Sequence, residues 1–226
     1  MGNWNKPDRL PIMGKVGQTG YVAEGLYVDL AASRQGAVVT VDQLLMWAMD
    51  GRTFHAQQGD AGTLVDFAET AYDEDQPQFA LRVPTGRIVI PLSLIVTFQD
   101  QAGTDTHVVW STTTNDIGNG TSTAATISAM RRDAPHSSGC TARSLYTANA
   151  TAATGLIEIA RFLDPFVAAA GTMKKLDWNI RLAAALPILV GPATLQMHTF
   201  ATGTAPAGFG EYVWAEFETP TLVTLT

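Results

Sequence analysis

The sequence predicts an all-β protein: a single antiparallel β-sandwich with one or two short helices and an extended N-terminal arm. Residues 88–98 carry a large apolar side chain at every even position, and residues 176–182 alternate apolar and polar side chains in the same way. This period of two is typical of a strand with one buried face. Roughly a dozen such short segments are separated by turn residues about every 8–12 positions, which is the spacing of a sandwich or barrel.

Composition favours a protein that buries its surface against neighbours. Of the 226 residues, 46% are hydrophobic and only 15% are charged, whereas about 25% is usual for soluble domains. Low charge combined with excess apolar surface is a feature of interfaces. A weakly solvated surface without partners is the alternative interpretation.

Charge and cysteine content narrow the function classes. A net charge of −7 argues against wrapping nucleic acid or lying on an anionic membrane, because both require basic patches. The single cysteine, Cys140, excludes an internal disulfide framework, and no activating base lies near it in sequence. The first residues lack the apolar core of a secretory signal, and no apolar run reaches the ~18 residues of a membrane span.

The first fifty residues contain the arm and the clearest helical pattern. Residues 1–20 are rich in glycine and proline and have no sustained period, so we expect an arm, and residues 21–226 then form one domain. Residues 21–30 and 36–41 are short strand candidates. Residues 42–49 place apolar side chains at helical spacing, with Thr40 as a candidate N-cap, and predict a short helix.

The rest of the chain is predicted as strands and loops. A further helical turn is expected at 166–170, loops are expected at 115–123 and 203–210, and the polar loop 131–139 is the best candidate for a surface contact. The expected strands are 52–57, 63–67, 77–83, 88–98, 107–114, 126–130, 141–146, 155–163, 176–182, 187–190, 194–201, 211–218 and 222–225.

Residues 88–114 predict a hairpin around which the sandwich is built. The even-numbered face of its first strand is expected to be core, and part of its odd-numbered face, including Val89, Ile95 and Thr97, is expected to be covered by an arm or a neighbour. Pro91 lacks an amide donor, so the strand is expected at a sheet edge or to bulge there.

No residue is assigned a catalytic, cofactor-binding or metal-binding role. Asp73 and Asp75 in an acidic loop offer carboxylates for Ca²⁺, but the spacing lacks the glycine and the trailing glutamate of an EF-hand, and a charge run is more often solvated. The histidines are far apart in sequence and are more often packing or surface residues than ligands. They are His55, His107, His136 and His198.

Two other chemistries remain open at this point. Paired carboxylates for glycoside hydrolysis are identified only by their separation in space, and the strand-borne candidates are Asp177, Glu211, Glu216 and Glu218. Exposed tryptophans on one sheet face could stack sugars, although core packing is the better interpretation at least for Trp178, whose phase matches its apolar neighbours. The strand tryptophans are Trp110, Trp178 and Trp214.

One stretch of the sequence carries a family resemblance. Residues 79–94, FALRVPTGRIVIPLSL, followed by an acidic turn and the segment HVVW at 107–110, resemble virion structural proteins of bacteriophages and related viruses with a jelly-roll domain. The low charge, the Thr/Ala/Gly richness and the arm are similar to that group. The resemblance carries no functional residue across.

The resemblance implies a non-enzymatic, self-assembling subunit of a capsid shell, or a protein that decorates and cements the shell. It implies a homo-oligomer, expected to be a trimer, with other capsid proteins as partners, in a virion assembled in the host cytoplasm. No membrane, sequence-specific nucleic acid or cofactor is expected. The alternative is a glycan- or receptor-binding sandwich of a phage fibre or spike, and a glycan-cleaving enzyme is a third hypothesis.

Overall fold

The computed structural model describes residues 43–59, 63–67, 69, 71–98, 105–133, 135–164, 174–181, 183, 187–201, 203 and 206–219. The chain divides into two units, Met1–Met46 and Trp47–Thr226, and every described strand belongs to the second. The expected arm at 1–20 lies outside the described residues. So do the strands expected at 21–30, 36–41 and 222–225 and the helical turn expected at 166–170.

The described part of the chain contains one short helix and otherwise strands. The helix α1 occupies Gln43–Met49, as the apolar spacing predicts. Among the described residues, no helix is long and apolar enough to cross a membrane. The strands are β1 Thr53–Gln58, β2 Val65–Asp66, β3 Phe79–Val83, β4 Arg87–Phe98, β5 Thr106–Thr113, β6 Thr121–Ala125, β7 Ile127–Ala129, β8 Thr141–Ala148, β9 Ile157–Asp164, β10 Lys174–Asn179, β11 Leu189–Val190, β12 Ala193–Ala201 and β13 Ala207–Glu218.

These strands form two antiparallel sheets, so the prediction of an all-β sandwich is confirmed. The first sheet has the order β10-β4-β13-β1-β7, with β11 paired to β4 and β2 paired to β13, and the second has the order β6-β8-β3-β12-β5-β9. Without β6–β8 and the two-residue strands β2 and β11, the sheets reduce to β1-β13-β4-β10 and β3-β12-β5-β9. This order is that of an eight-stranded jelly roll, a double Greek key.

The core between the sheets is made by the inward faces of the long central strands. Tyr212 of β13 is its centre: its ring stacks on Phe79 at 3.6 Å between centroids and meets Trp110 edge-on at 5.5 Å. The Tyr212 hydroxyl donates to Gln58 Oε1 at 2.9 Å, which satisfies the buried polar atom. Aromatic side chains from both sheets therefore hold the two layers together.

Residues 88–114 do not form the expected hairpin. β4 lies in the first sheet between β13 and the pair β10 and β11, whereas β5 lies in the second sheet between β12 and β9. Two strands that follow each other in sequence and both alternate apolar with polar side chains were expected to pair. The alternation shows only that each strand has one buried face. In a jelly roll, consecutive strands often cross between the layers, and both buried faces then meet across the core.

The phase of β4 changes at a bulge, which corrects the prediction for its even-numbered face. The register with β13 shifts between Ser93 and Pro91, leaving Leu92 as the extra residue. Leu94, Val96 and Phe98 face the core as predicted. On the other side of the bulge, Val89 belongs to the core cluster, whereas Ile90 and Leu92 are buried outside that cluster and Ile88 is half-buried. A single extra residue exchanges the two faces of a strand.

Pro91 lies at this bulge, as the sequence allowed, but not at a sheet edge. Strand β4 pairs with β13 along its length, and on its other side with β11 at 88–89 and with β10 at 93–98. On the side of β10 and β11, Pro91 therefore lies between the two paired segments of β4. Its missing amide donor breaks no strand pairing there. The expected loop at 203–210 is also partly wrong, because β13 already begins at Ala207.

Candidate assembly surface

The outer face of the second sheet carries an aromatic cluster that brings two of the four histidines together. His107 stacks on Phe200 of the neighbouring strand, with ring centroids 4.7 Å apart and an angle of 5° between the planes. Tyr72, from the segment before β3, covers both His198 at 5.0 Å and Phe200 at 5.9 Å. These four residues form the Tyr72 cluster. It holds the acidic loop against the sheet by ring packing.

His198 is a neutral packing group in this cluster. Only 2% of the residue is exposed. Burial lowers the pKa of His198 from 6.5 to about 4, an effect that the nearby Asp73 partly opposes. The imidazole is therefore uncharged at neutral pH, which is consistent with the interpretation of strand histidines as packing residues.

The other two histidines lie apart from the Tyr72 cluster. His55 is half-buried on β1, where burial lowers its pKa and the charge of Glu211 opposes that shift. His136 is exposed, and its ring lies against Gly51. Among the described residues, no three His, Cys, Asp or Glu side chains come together in a way that could hold a metal ion.

The carboxylates of the acidic loop are engaged in the turn itself. Asp73 accepts a hydrogen bond from the Asp75 amide at 2.9 Å and another from Gln76 Nε2 at 3.0 Å. Asp75 accepts one from Asn149 Nδ2 at 3.2 Å, which ties the loop to the chain after β8. Both side chains are exposed. The pattern is an Asx turn that shapes the loop below Tyr72.

The strand tryptophans are core residues. Trp110, Trp178 and Trp214 are 1%, 7% and 1% exposed and belong to the cluster between the sheets. Trp214 also stacks on Phe54 of the adjacent strand. These three rings cannot stack sugars, because an aromatic ring that binds a sugar must expose its face to solvent.

Two of the four strand-borne carboxylates meet at one arginine. Asp177 lies on β10 beside Lys175, and the three glutamates lie along β13. Glu216 and Glu218 both contact Arg87, with the nearest atoms 3.6 Å and 3.2 Å apart. One arginine between two carboxylates offsets part of their negative charge, so Arg87, Glu216 and Glu218 form an ion-pair network in the described structure.

Glu216 anchors the polar loop predicted as a contact. Its side chain is 3% exposed and accepts hydrogen bonds from Ser138 Oγ at 2.5 Å and from the Gly139 amide at 2.8 Å. The Cys140 amide in turn donates to Ser138 Oγ. The C-terminal end of this loop is therefore fixed to the middle of the first sheet. Cys140 itself is buried, and burial raises the pKa of its thiol, so it is not a reactive group.

The same loop borders an open groove of about 490 Å³. The lining of the groove includes the apolar residues Phe54, Ala125, Ile127 and Ala142 and the polar residues His136 and Ser138. The groove lies where the chain passes from β6 in the second sheet directly to β7 in the first.

An arginine–aspartate pair that the sequence analysis missed fixes the loop between β5 and β6. Arg82 Nε and Nη2 donate to the two Asp116 oxygens at 2.5 and 2.6 Å, and Arg82 also contacts Asn119. Asp116 Oδ1 further accepts from the Gly118 amide at 2.9 Å. The hydrogen bond from Arg82 lowers the pKa of Asp116. The partners are 34 residues apart, and no local pattern indicates such a pair.

Large apolar side chains are exposed at several places on the sandwich. Ile157 and Leu163 of β9 are 62% and 53% exposed, and Val190 of β11 is 55% exposed. Leu145 combines 37% exposure with a left-handed backbone at φ 53°, which is costly for a residue with a side chain. These exposed apolar side chains lie on β8, β9 and β11, and each is a candidate for a contact with another subunit.

No family model and no curated protein sequence matches this chain. Among solved structures, the VP2 subviral particle of infectious bursal disease virus aligns over 88% of this chain and 49% of its own, at 9% identity and a TM-score of 0.14. This chain spans about half the length of that protein. The fold assignment rests on the strand order of the two sheets.

Proposed function

We propose that this chain is a non-enzymatic structural subunit of a virion, forming or cementing a capsid shell by self-assembly. The observation that carries the proposal is the jelly-roll strand order β1-β13-β4-β10 and β3-β12-β5-β9. Jelly rolls recur in viral capsid and lectin domains and in cupins. Because a fold of this kind serves several functions, the choice among them depends on the residues at the surface.

The use of polar residues favours a structural role. Carboxylates of the described chain shape or anchor loops: Asp73 shapes a turn, Glu216 binds the loop before β8, and Asp116 binds Arg82. Rigid loops on a rigid sandwich suit a subunit whose contacts with neighbours must keep a fixed geometry.

The surface composition points the same way. The chain has only 15% charged residues, and Ile157, Leu163 and Val190 are more than half exposed. Permanent contacts between subunits bury apolar side chains of this kind and are depleted in charge. We expect a homo-oligomer, with a trimer as the first candidate, and other capsid proteins as partners.

The alternative of a glycan-binding fibre or spike module has less support. Its motive was a set of exposed strand tryptophans, and Trp110, Trp178 and Trp214 are buried. Polar loops alone do not distinguish a receptor-binding surface from a subunit contact.

Negative-stain electron microscopy of the purified full chain tests the proposal. Samples at rising protein concentration and at low and high salt should show closed rings, sheets or shells of regular subunits. A cement protein should instead form small symmetric oligomers. Fields that contain only single particles of monomer size under every condition would contradict a self-assembling role.

A further inference from the structure

Strand β9 lies at the edge of the second sheet and carries both exposed apolar and charged side chains. It is the last strand of the second sheet among the described strands, with β5 as its only described neighbour. Its flanking apolar residues Ile157 and Leu163 are largely exposed. Between them, Glu158 and Arg161 form an ion pair with N–O distances of 3.0 and 2.6 Å, and their side chains are 37% and 58% exposed. Exposed edges of this kind pair readily with another strand.

The two charges of β9 make the strand complementary to itself. When two copies approach antiparallel about a two-fold axis between Ile159 and Ala160, Glu158 of each copy lies opposite Arg161 of the other. Opposite residues in an antiparallel pair share one face. The register with β5 places Glu158 opposite Ser111 and Arg161 opposite Val109, on the outer face of the sheet. Glu158 of one copy and Arg161 of the second copy therefore have opposite charges and lie on the same face of the sheet.

The same axis also matches the apolar residues. Ile157 then lies opposite Phe162 of the second copy, and Leu156 lies opposite Leu163. Phe162 is half-buried and packs on the core between the sheets, whereas Ile157 and Leu163 have no such cover. A second copy would remove both exposed side chains from water, which is the favourable term in such a contact.

We propose that β9 is a homotypic contact, at which a second copy of this chain docks antiparallel through Glu158 and Arg161. The inference rests on the proposed function, because it names one of the contacts that self-assembly requires. The bulge at Ile159 interrupts the pairing with β5 and prevents a long regular ladder on the outer side. The contact is therefore short and depends on side chains. Weak contacts of this kind suffice in an assembly that repeats them.

Charge reversal with mixing tests the contact. Glu158→Arg and Arg161→Glu each place like charges opposite one another across the axis, and each alone should weaken self-association by at least about tenfold, measured by sedimentation velocity. An equimolar mixture of the two variants restores opposite charges in trans. Association in the mixture should return to within about threefold of the unmodified protein.

The mixture separates this contact from the ion pair within one chain. Both variants break the internal pair of Glu158 and Arg161, and mixing does not repair it. Glu218→Arg is the matched control: it makes the same charge change at an exposed residue that pairs with Arg87, and association should not change. Thermal unfolding of each variant checks that the sandwich is folded.

The outcomes distinguish the two proposals. If the unmodified protein assembles and both reversals assemble equally well, the β9 contact is wrong and the structural role stands. Weakened single variants that the mixture does not rescue would also overturn the contact. If the unmodified protein is monomeric at every concentration, both proposals fail.

Discussion

His198 shows how one residue can make stability depend on pH. Its folded pKa is about 4, below its ordinary value of 6.5. Below pH 6.5 the unfolded chain takes up a proton that the folded chain refuses, so stability is complete above that pH and is lost as pH falls. We expect the free energy of unfolding to drop by about 2 kcal/mol between pH 7 and pH 5 through this residue.

His198→Phe keeps a ring below Tyr72 and removes the titration. Urea unfolding at pH 7 and pH 5 should show a smaller loss of stability for this variant than for the unmodified protein. His136→Phe is the control, because His136 is exposed and should leave the difference unchanged. An NMR titration of His198 with a midpoint near 6.5 would contradict the account.

Asp116 makes the second prediction at this scale. Asp116→Asn removes the charge that accepts two hydrogen bonds from Arg82. Because the Asp116 side chain is 34% exposed, solvent screens the pair, and we expect a loss of about 1 kcal/mol in the free energy of unfolding at pH 7. Arg82 lowers the pKa of Asp116, so this stabilisation exists above the ordinary carboxyl pKa and is lost in acid.

Chemical denaturation at pH 7 and pH 3 checks this sign. The gap between Asp116→Asn and the unmodified protein should narrow at pH 3. Asp177→Asn should give a negligible change at either pH, because its ion pair with Lys175 is exposed. If Asp116→Asn and Asp177→Asn changed the free energy of unfolding equally, the ion pair of Arg82 with Asp116 would not be what holds the loop between β5 and β6.

At the scale of elements, the loop before β8 depends on one buried carboxylate. Glu216→Ala removes the acceptor for Ser138 Oγ and for the Gly139 amide, and it leaves those donors without their partner. We expect a loss of about 2 kcal/mol in the free energy of unfolding. The loop should also open locally before the sandwich unfolds.

Limited trypsin digestion measures that opening, because Arg131 and Arg132 lie in the same loop. Cleavage there should be several times faster in Glu216→Ala than in the unmodified protein. Glu218→Ala, which removes only the exposed partner of Arg87, should be cleaved at the original rate. Equal rates in the two variants would mean that the loop is held by other contacts.

Strand positions were largely predictable from the sequence, but their pairing was not. The alternating residues 176–182 overlap β10 at 176–179, and residues 42–49 contain α1, because local periodicity reports a buried face directly. The error at 88–114 concerns which strands pair, and that depends on contacts across the whole chain. The bulge in β4 shows the same limit: Leu92 looks like its neighbours, and only the register with β13 reveals it as extra.

The candidate site was predictable only where exposure follows from sequence. The polar loop 131–139 was identified by composition, whereas its anchor Glu216 was grouped with the other strand-borne carboxylates, because a charged side chain is ordinarily expected in solvent. Arg82 and Asp116 had no signal, since the pair joins a strand to a distant loop. Exposed apolar residues such as Ile157 resemble core residues in a sequence and become distinct only when the sheet order is known.

At the scale of the whole molecule, packing between the two sheets holds the described sandwich together although the chain has few charges. Aromatic residues of both sheets meet around Tyr212, and ion pairs such as Arg82 with Asp116 fix the loops at the periphery. The outer surface keeps exposed apolar side chains at β9 and β11. A sandwich of this kind suits repeated contact with copies of itself.

The central claim is that this chain assembles with itself, and its mass in solution tests that most directly. Size-exclusion chromatography with multi-angle light scattering on the full chain, over a wide range of concentrations, gives the mass without reference to shape. The account predicts a mass well above the 24.1 kDa of one chain, rising with concentration towards trimers or larger assemblies. A constant mass of one chain at every concentration would contradict it.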